Sequence, residues 1–112
     1  MLQVIWRCPR FPAPVQKDQT PLRIIDEAAR SELTVELNAH PYRLDIDWRL
    51  CKYAKEKGTK IAVNSDVHDK EGLKDTYFGV GIGRKGWLEF GDILNAMDLA
   101  EMNAYSERRR PF

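Results

Sequence analysis

Apolar and polar positions along the chain alternate in two rhythms, one with a period of two residues and one near the ~3.6 of a helix. Leu2 to Trp6 is a short apolar run suited to a buried strand, ended by Cys8-Pro9 and by a connection marked by Pro9, Pro12 and Pro14. Thr20-Pro21 predicts a helix start, with Thr20 as cap and Pro21 in the first turn, where its missing N–H costs nothing. Leu22, Ile25, Ala28 and Ala29 then recur at helical spacing and predict one buried face. Leu33 to Asn38 reads as a strand, with Leu33, Val35 and Leu37 on one side and Thr34, Glu36 and Asn38 on the other.

A second helix is predicted from about Asp45 to Lys57. Asp45 and Asp47 lie at its positive end, Lys52, Lys55 and Lys57 toward its negative end, and Gly58 closes it. Lys60 to Ser65 is the next strand, with Ile61, Val63 and Ser65 facing away from Ala62, Asn64 and Asp66. Tyr77 to Ile82 reads as a further strand, its glycines permitting close backbone approach. Asp92 to Met97 and Leu99 to Glu107 read as short terminal helices. The order is strand–helix–strand–helix–strand–(helix)–strand–helix, the pattern of an α/β fold with a parallel sheet.

In such folds ligands gather at the carboxyl ends of the strands. The polar residues inside otherwise apolar strands fall at those ends: Glu36 and Asn38 in one, Asn64, Asp66 and His68 in the next. Asp66 and His68, a carboxylate and an imidazole two residues apart just past a strand, can ligate one divalent cation. The plainer reading is that Asp66 caps a turn and His68 starts the short helix after it. Both stand on the residues alone. Glu36 and Asn38 need partners, since an unpaired buried carboxylate is costly; a metal shell, a substrate or a plain hydrogen bond would serve. Arg43 has the planar fork that suits a phosphate, but taken alone it reads first as a surface arginine paired with Asp45 or Asp47.

Composition narrows the classes. With 112 residues, 43% hydrophobic and 31% charged, the chain has room for one ordered domain. A net charge of +1 argues against a basic nucleic-acid surface spread over the whole molecule. Cys8 and Cys51 make no disulfide framework, which points to reduced thiols and a cytoplasmic setting. No run is long enough for a membrane span. Gly81-Ile82-Gly83-Arg84-Lys85-Gly86 spells a dinucleotide motif, but Trp87-Leu88-Glu89 follows where a strand-to-helix turn is needed, so it reads as a glycine-rich strand and loop. Arg108-Arg109-Arg110 reads as a solvated tail, and Trp6, Trp48 and Trp87 as packing residues.

Three segments together carry a family resemblance: Glu36-Leu37-Asn38-Ala39-His40-Pro41-Tyr42-Arg43-Leu44-Asp45, Lys60-Ile61-Ala62-Val63-Asn64-Ser65-Asp66-Val67-His68, and Tyr77-Phe78-Gly79-Val80-Gly81-Ile82-Gly83-Arg84-Lys85-Gly86-Trp87-Leu88-Glu89. In order and spacing, over about residues 20 to 107, they resemble the end of a PHP (polymerase and histidinol phosphatase) domain, above all that of bacterial and archaeal family X DNA polymerases. The resemblance implies a partial (βα) barrel, roughly the C-terminal half of a distorted seven-stranded one, with the first 19 residues poorly matched. It also implies a cluster of Mn²⁺, Zn²⁺ or Fe ions, phosphoester hydrolysis, and 3′–5′ exonuclease or DNA-end processing. Asp66 and His68 carry over as metal ligands, which tips the choice between the two readings. Glu36, Asn38, Asn64 and Arg43 match the pattern near the site as candidate substrate contacts.

Departures from the family pattern set the remaining expectations. The chain has two histidines, His40 and His68, and no His-x-His pair. Cys8-Pro9 stands where the family has a ligating histidine before proline, so Cys8 is a candidate thiolate ligand, though with the first 19 residues poorly matched it reads first as a buried or idle thiol. Strands bearing the other ligands are expected before residue 1. Half a barrel leaves unpaired sheet edges, which predicts self-association or a partner chain that completes it. Two functions follow: a phosphoesterase acting on nucleic-acid ends or another phosphate ester, or a catalytically inactive remnant or interaction module with at most one weak metal site.

Overall fold

Pro21 opens the first helix, α1 (Pro21–Arg30), and Ile25 and Ala28 bury its inner face while Leu22 stays largely exposed. The computed structural model describes residues 21–108; the strand expected over Leu2 to Trp6, the Thr20 cap, Cys8 and the last two arginines of the tail lie outside them. The chain then turns into β1 (Val35–Asn38), whose Val35 and Leu37 are fully buried. Helix α2 (Trp48–Lys57) starts later than the charge pattern suggests. Its start is fixed by Asp47, whose carboxylate accepts from the Arg49 N–H at 2.8 Å. Gly58 closes it at φ 78°, a left-handed conformation that glycine adopts without strain.

Strand β2 (Ile61–Asn64) pairs parallel to β1, with Val35 opposite Ile61, Leu37 opposite Val63 and Asn38 opposite Asn64. In this register Val35, Leu37, Ala39, Ile61 and Val63 share one face, and Glu36, Asn38, Ala62 and Asn64 share the other. The first face packs with Ile25, Ala28, Ile46, Cys51 and Ala54 into one core. Each large aliphatic side chain buried there contributes about 2 kcal/mol of hydrophobic stabilisation. On β2's outer flank Asn95 stands in for a strand. Its Oδ1 accepts from the Val63 N–H at 2.8 Å and its Nδ2 donates to the Val63 carbonyl at 3.0 Å. Ile93 makes a single parallel bridge to Ile61 beside it.

The third segment of the resemblance departs from the strand predicted for it. Tyr77 to Ile82 lies within a helix, α3 (Thr76–Lys85), preceded by a 3₁₀ turn over Glu71–Asp75. The glycines explain why. Gly79 and Gly83, four residues apart, are both buried in this helix. A Cβ on Gly79 would lie 2.7 Å from the Ala39 Cβ and from the Val63 Cγ1. The missing side chain lets α3 lie directly on the sheet, which is where the close approach is spent. Gly86 ends the helix, and a Cβ there would meet the Trp48 carbonyl oxygen at 2.6 Å. The Gly81–Gly86 segment is therefore the last turns of a helix and its cap. Two 3₁₀ turns, Phe90–Asp92 and Leu94–Ala96, replace the helix expected over Asp92 to Met97, and α4 (Leu99–Arg108) follows. Trp87, expected in the packing, is 72% exposed. Among the described residues the fold is α/β with a two-stranded parallel sheet.

Candidate functional site

Parallel register brings the polar faces of β1 and β2 to one edge. Glu36 and Asn64 meet there, Asn64 Nδ2 donating to Glu36 Oε1 at 3.0 Å. One step further along, Asn38 Nδ2 donates to Asp66 Oδ2 at 3.3 Å. Asn38 is almost fully buried, and its other side-chain atom is used too: Oδ1 accepts from the His40 N–H at 2.9 Å. The Asn38 amide thus ties the end of β1 both to the turn that follows it and to the turn after β2. Burial of so polar a group is tolerated because its side-chain donor and acceptor are both engaged.

Asp66 leaves the strand conformation altogether. Its φ of 53° is left-handed, a region that aspartate tolerates better than most residues. Asp66 and His68 are therefore related through a turn, not through strand alternation. There the Asp66 carbonyl oxygen lies 2.8 Å from His68 Nδ1. A carbonyl only accepts, so Nδ1 carries the proton, and in the neutral ring the lone pair sits on Nε2. An imidazole oriented in this way by a backbone carbonyl is a frequent arrangement around metal ions. Arg43 reaches the same carboxylate, Nη1 standing 3.7 Å from Asp66 Oδ2, with its side chain 42% exposed and that of Asp66 37% exposed. The guanidinium pairs with Asp66 rather than with Asp45 or Asp47, the carboxylates of the plainer reading.

The turn between β1 and α2 is closed on His40. Its carbonyl accepts from the Arg43 N–H at 2.8 Å and from the Leu44 N–H at 2.9 Å, and its Nδ1 accepts from the Tyr42 N–H at 3.3 Å. This organisation was not anticipated; the sequence signal that could have revealed it is the Asn38-x-His40 spacing, which suits a side-chain-to-backbone turn. Cys51, the described thiol, is fully buried on the inner face of α2. Burial, and after it the charge of Asp47, pushes its pKa up to about 12 against a weaker lowering by its own backbone N–H, which keeps it a neutral thiol at neutral pH.

Asp66 and His68 offer a carboxylate oxygen and an imidazole nitrogen, a donor set that suits Mn²⁺, Zn²⁺ or Fe. Among the described residues no group of three His, Cys, Asp or Glu side chains could hold a metal ion. These residues fit the edge of a cation shell and do not by themselves complete one. Cys8 lies outside the described residues. No described helix is long and apolar enough to cross a membrane.

No family model matches the chain. Over 86 residues, 77% of its length, the chain is 37% identical to the DNA polymerase/3′–5′ exonuclease PolX of Bacillus subtilis (strain 168). The match spans 15% of the length of that relative. The chain is therefore a partial homologue of a DNA polymerase/3′–5′ exonuclease, similar to one limited portion of it.

Proposed function

We propose that the chain is the carboxy-terminal part of a PHP-type, metal-dependent phosphoesterase module that acts on the 3′ ends of DNA. The observation that carries this reading is the cross-strand network Glu36–Asn64 and Asn38–Asp66 at the ends of two parallel strands, with Arg43 on the same carboxylate. Its similarity to a polymerase that is also a 3′–5′ exonuclease supports the substrate class. In this reading Asp66 and His68 Nε2 are metal ligands, and Arg43 turns its fork to a phosphate. Asn38, Asn64 and Glu36 hold these groups in place or touch the substrate. Divalent ions held by these residues would supply charge neutralisation for the phosphate and a lowered pKa for a water. Donors beyond the two come from Cys8 or from a second copy of the chain.

A second reading has its own observation. Asp66 Oδ2 is already engaged by Asn38 and by Arg43, as in a turn held together by a structural carboxylate. The chain would then be a catalytically inactive interaction module. Manganese-dependent release of nucleotides from the 3′ end of a single-stranded oligonucleotide separates the two. The phosphoesterase reading expects release by the wild-type chain and its loss in the Asp66→Asn/His68→Gln double variant. Wild-type protein that releases nothing with Mn²⁺, Zn²⁺ or Fe²⁺, or a double variant as active as wild type, sinks that reading.

A further inference from the structure

Tyr42 is 94% exposed, although it sits in a tightly closed turn next to the candidate site. A large aromatic ring in water gains nothing from packing, and one exposed ring alone needs no explanation. This ring, however, is built into the site's own scaffold. Its backbone N–H is held by His40 Nδ1, the His40 N–H by Asn38 Oδ1, and the Asn38 amide by Asp66. An unbroken series of hydrogen bonds thus runs from the candidate metal-binding carboxylate to the residue that presents the ring. The His40 ring flanks it, with centroids 5.6 Å apart and planes 32° from parallel. The next residue, Arg43, brings its guanidinium to Asp66.

We infer that Tyr42, flanked by His40, is a stacking platform for the base of the terminal nucleotide whose phosphate meets Arg43. The inference rests on the phosphoesterase reading for what lies beside the platform and adds the group that would recognise a nucleotide over a simple phosphate ester. The chemistry fits. A base offers a π-face whatever its identity, so an aromatic ring binds single-stranded ends with little sequence preference. The net charge of +1 argues against a basic surface spread over the whole molecule, which gives weight to local contacts of this kind.

The test is a binding cycle with the 112-residue chain and fluorescently labelled single-stranded DNA, one oligonucleotide ending in an intact 3′ nucleotide and one ending in an abasic residue. Tyr42→Ala is expected to weaken binding of the intact end roughly ten-fold, and Tyr42→Phe, which keeps the π-face, by less than about two-fold. The abasic end is expected to bind wild type as weakly as Tyr42→Ala binds the intact end, and to be indifferent to the substitution. Equal loss on both ends, no loss on either, or no binding by wild type overturns the platform. An identical far-ultraviolet circular dichroism spectrum for the variants checks that they are folded. This coupling without manganese-dependent hydrolysis supports the platform and counts against the phosphoesterase reading. Hydrolysis without the coupling sinks the platform alone.

Discussion

At φ 53°, Asp66 combines a left-handed backbone with a carboxylate shared by Asn38 and Arg43. The two requirements separate by substitution. Asp66→Gly removes the carboxylate and suits the backbone, whereas Asp66→Ala removes the carboxylate and strains it. Asp66→Ala is expected to be less stable than Asp66→Gly by about 1 kcal/mol, read from urea unfolding midpoints; the opposite order would show that the turn is not left-handed in solution. At this scale much of the edge was legible in the sequence. Polar residues at the ends of apolar runs fixed Glu36, Asn38 and Asn64 on one face, because strand alternation is geometric. Alternation stops at Asn64, so the relation between Asp66 and His68 was not legible: it passes through a backbone carbonyl, and no side-chain pattern encodes that. Asn95, which closes the flank of β2, gives no local signal either, since its partner is 32 residues away.

Helix α3 shows where pattern and structure part. Tyr77, Phe78, Val80 and Ile82 have strand preference, and glycines lower helix propensity by about 1 kcal/mol each. Close packing on the sheet overrides both, and the four-residue spacing of Gly79 and Gly83 is the trace it leaves in the sequence. Two alanine substitutions on this helix should therefore act in opposite directions. Gly79→Ala drives a methyl group into Ala39 and Val63 and should destabilise the chain by about 1–3 kcal/mol. Gly81→Ala meets nothing within 4 Å and should stabilise it by up to about 1 kcal/mol. Thermal or urea unfolding of the two variants decides the matter; a destabilising Gly81→Ala together with a neutral Gly79→Ala would contradict α3 as described. α2, by contrast, carried its own end signals in Asp47 and Gly58, and only its first turn was misplaced.

Across the molecule, the C-terminal turns are fastened to α2 by Lys55, whose ammonium lies 2.8 Å from Asp92 and 3.4 Å from Glu89. Burial pushes the Asp92 carboxyl upward, but the hydrogen bonds from Lys55 and from the Glu89 N–H, with the charges of Lys55 and Lys60, hold it below the ordinary value of 3.8. A carboxyl with a depressed folded pKa contributes stability above its unfolded value and loses it as the pH falls through the folded one. Asp92→Asn should therefore lower stability at neutral pH and make the loss of stability below pH 3.8 shallower than in wild type. Urea midpoints along a pH series test this, and parallel acid limbs would contradict it. The α/β class and the parallel pairing of β1 with β2 follow from the strand–helix–strand order over residues 35–64, which was legible, whereas α3 and the 3₁₀ turns after it were not.

The account turns on whether the edge built from Asp66 and His68 holds a metal ion. Metal analysis of the purified chain after equilibration with Mn²⁺ or Zn²⁺ and removal of excess, alongside the Asp66→Asn/His68→Gln variant, measures this most directly. Retention of metal by wild type and its loss from the variant is the predicted result; equal retention in both proteins, or none in either, contradicts it.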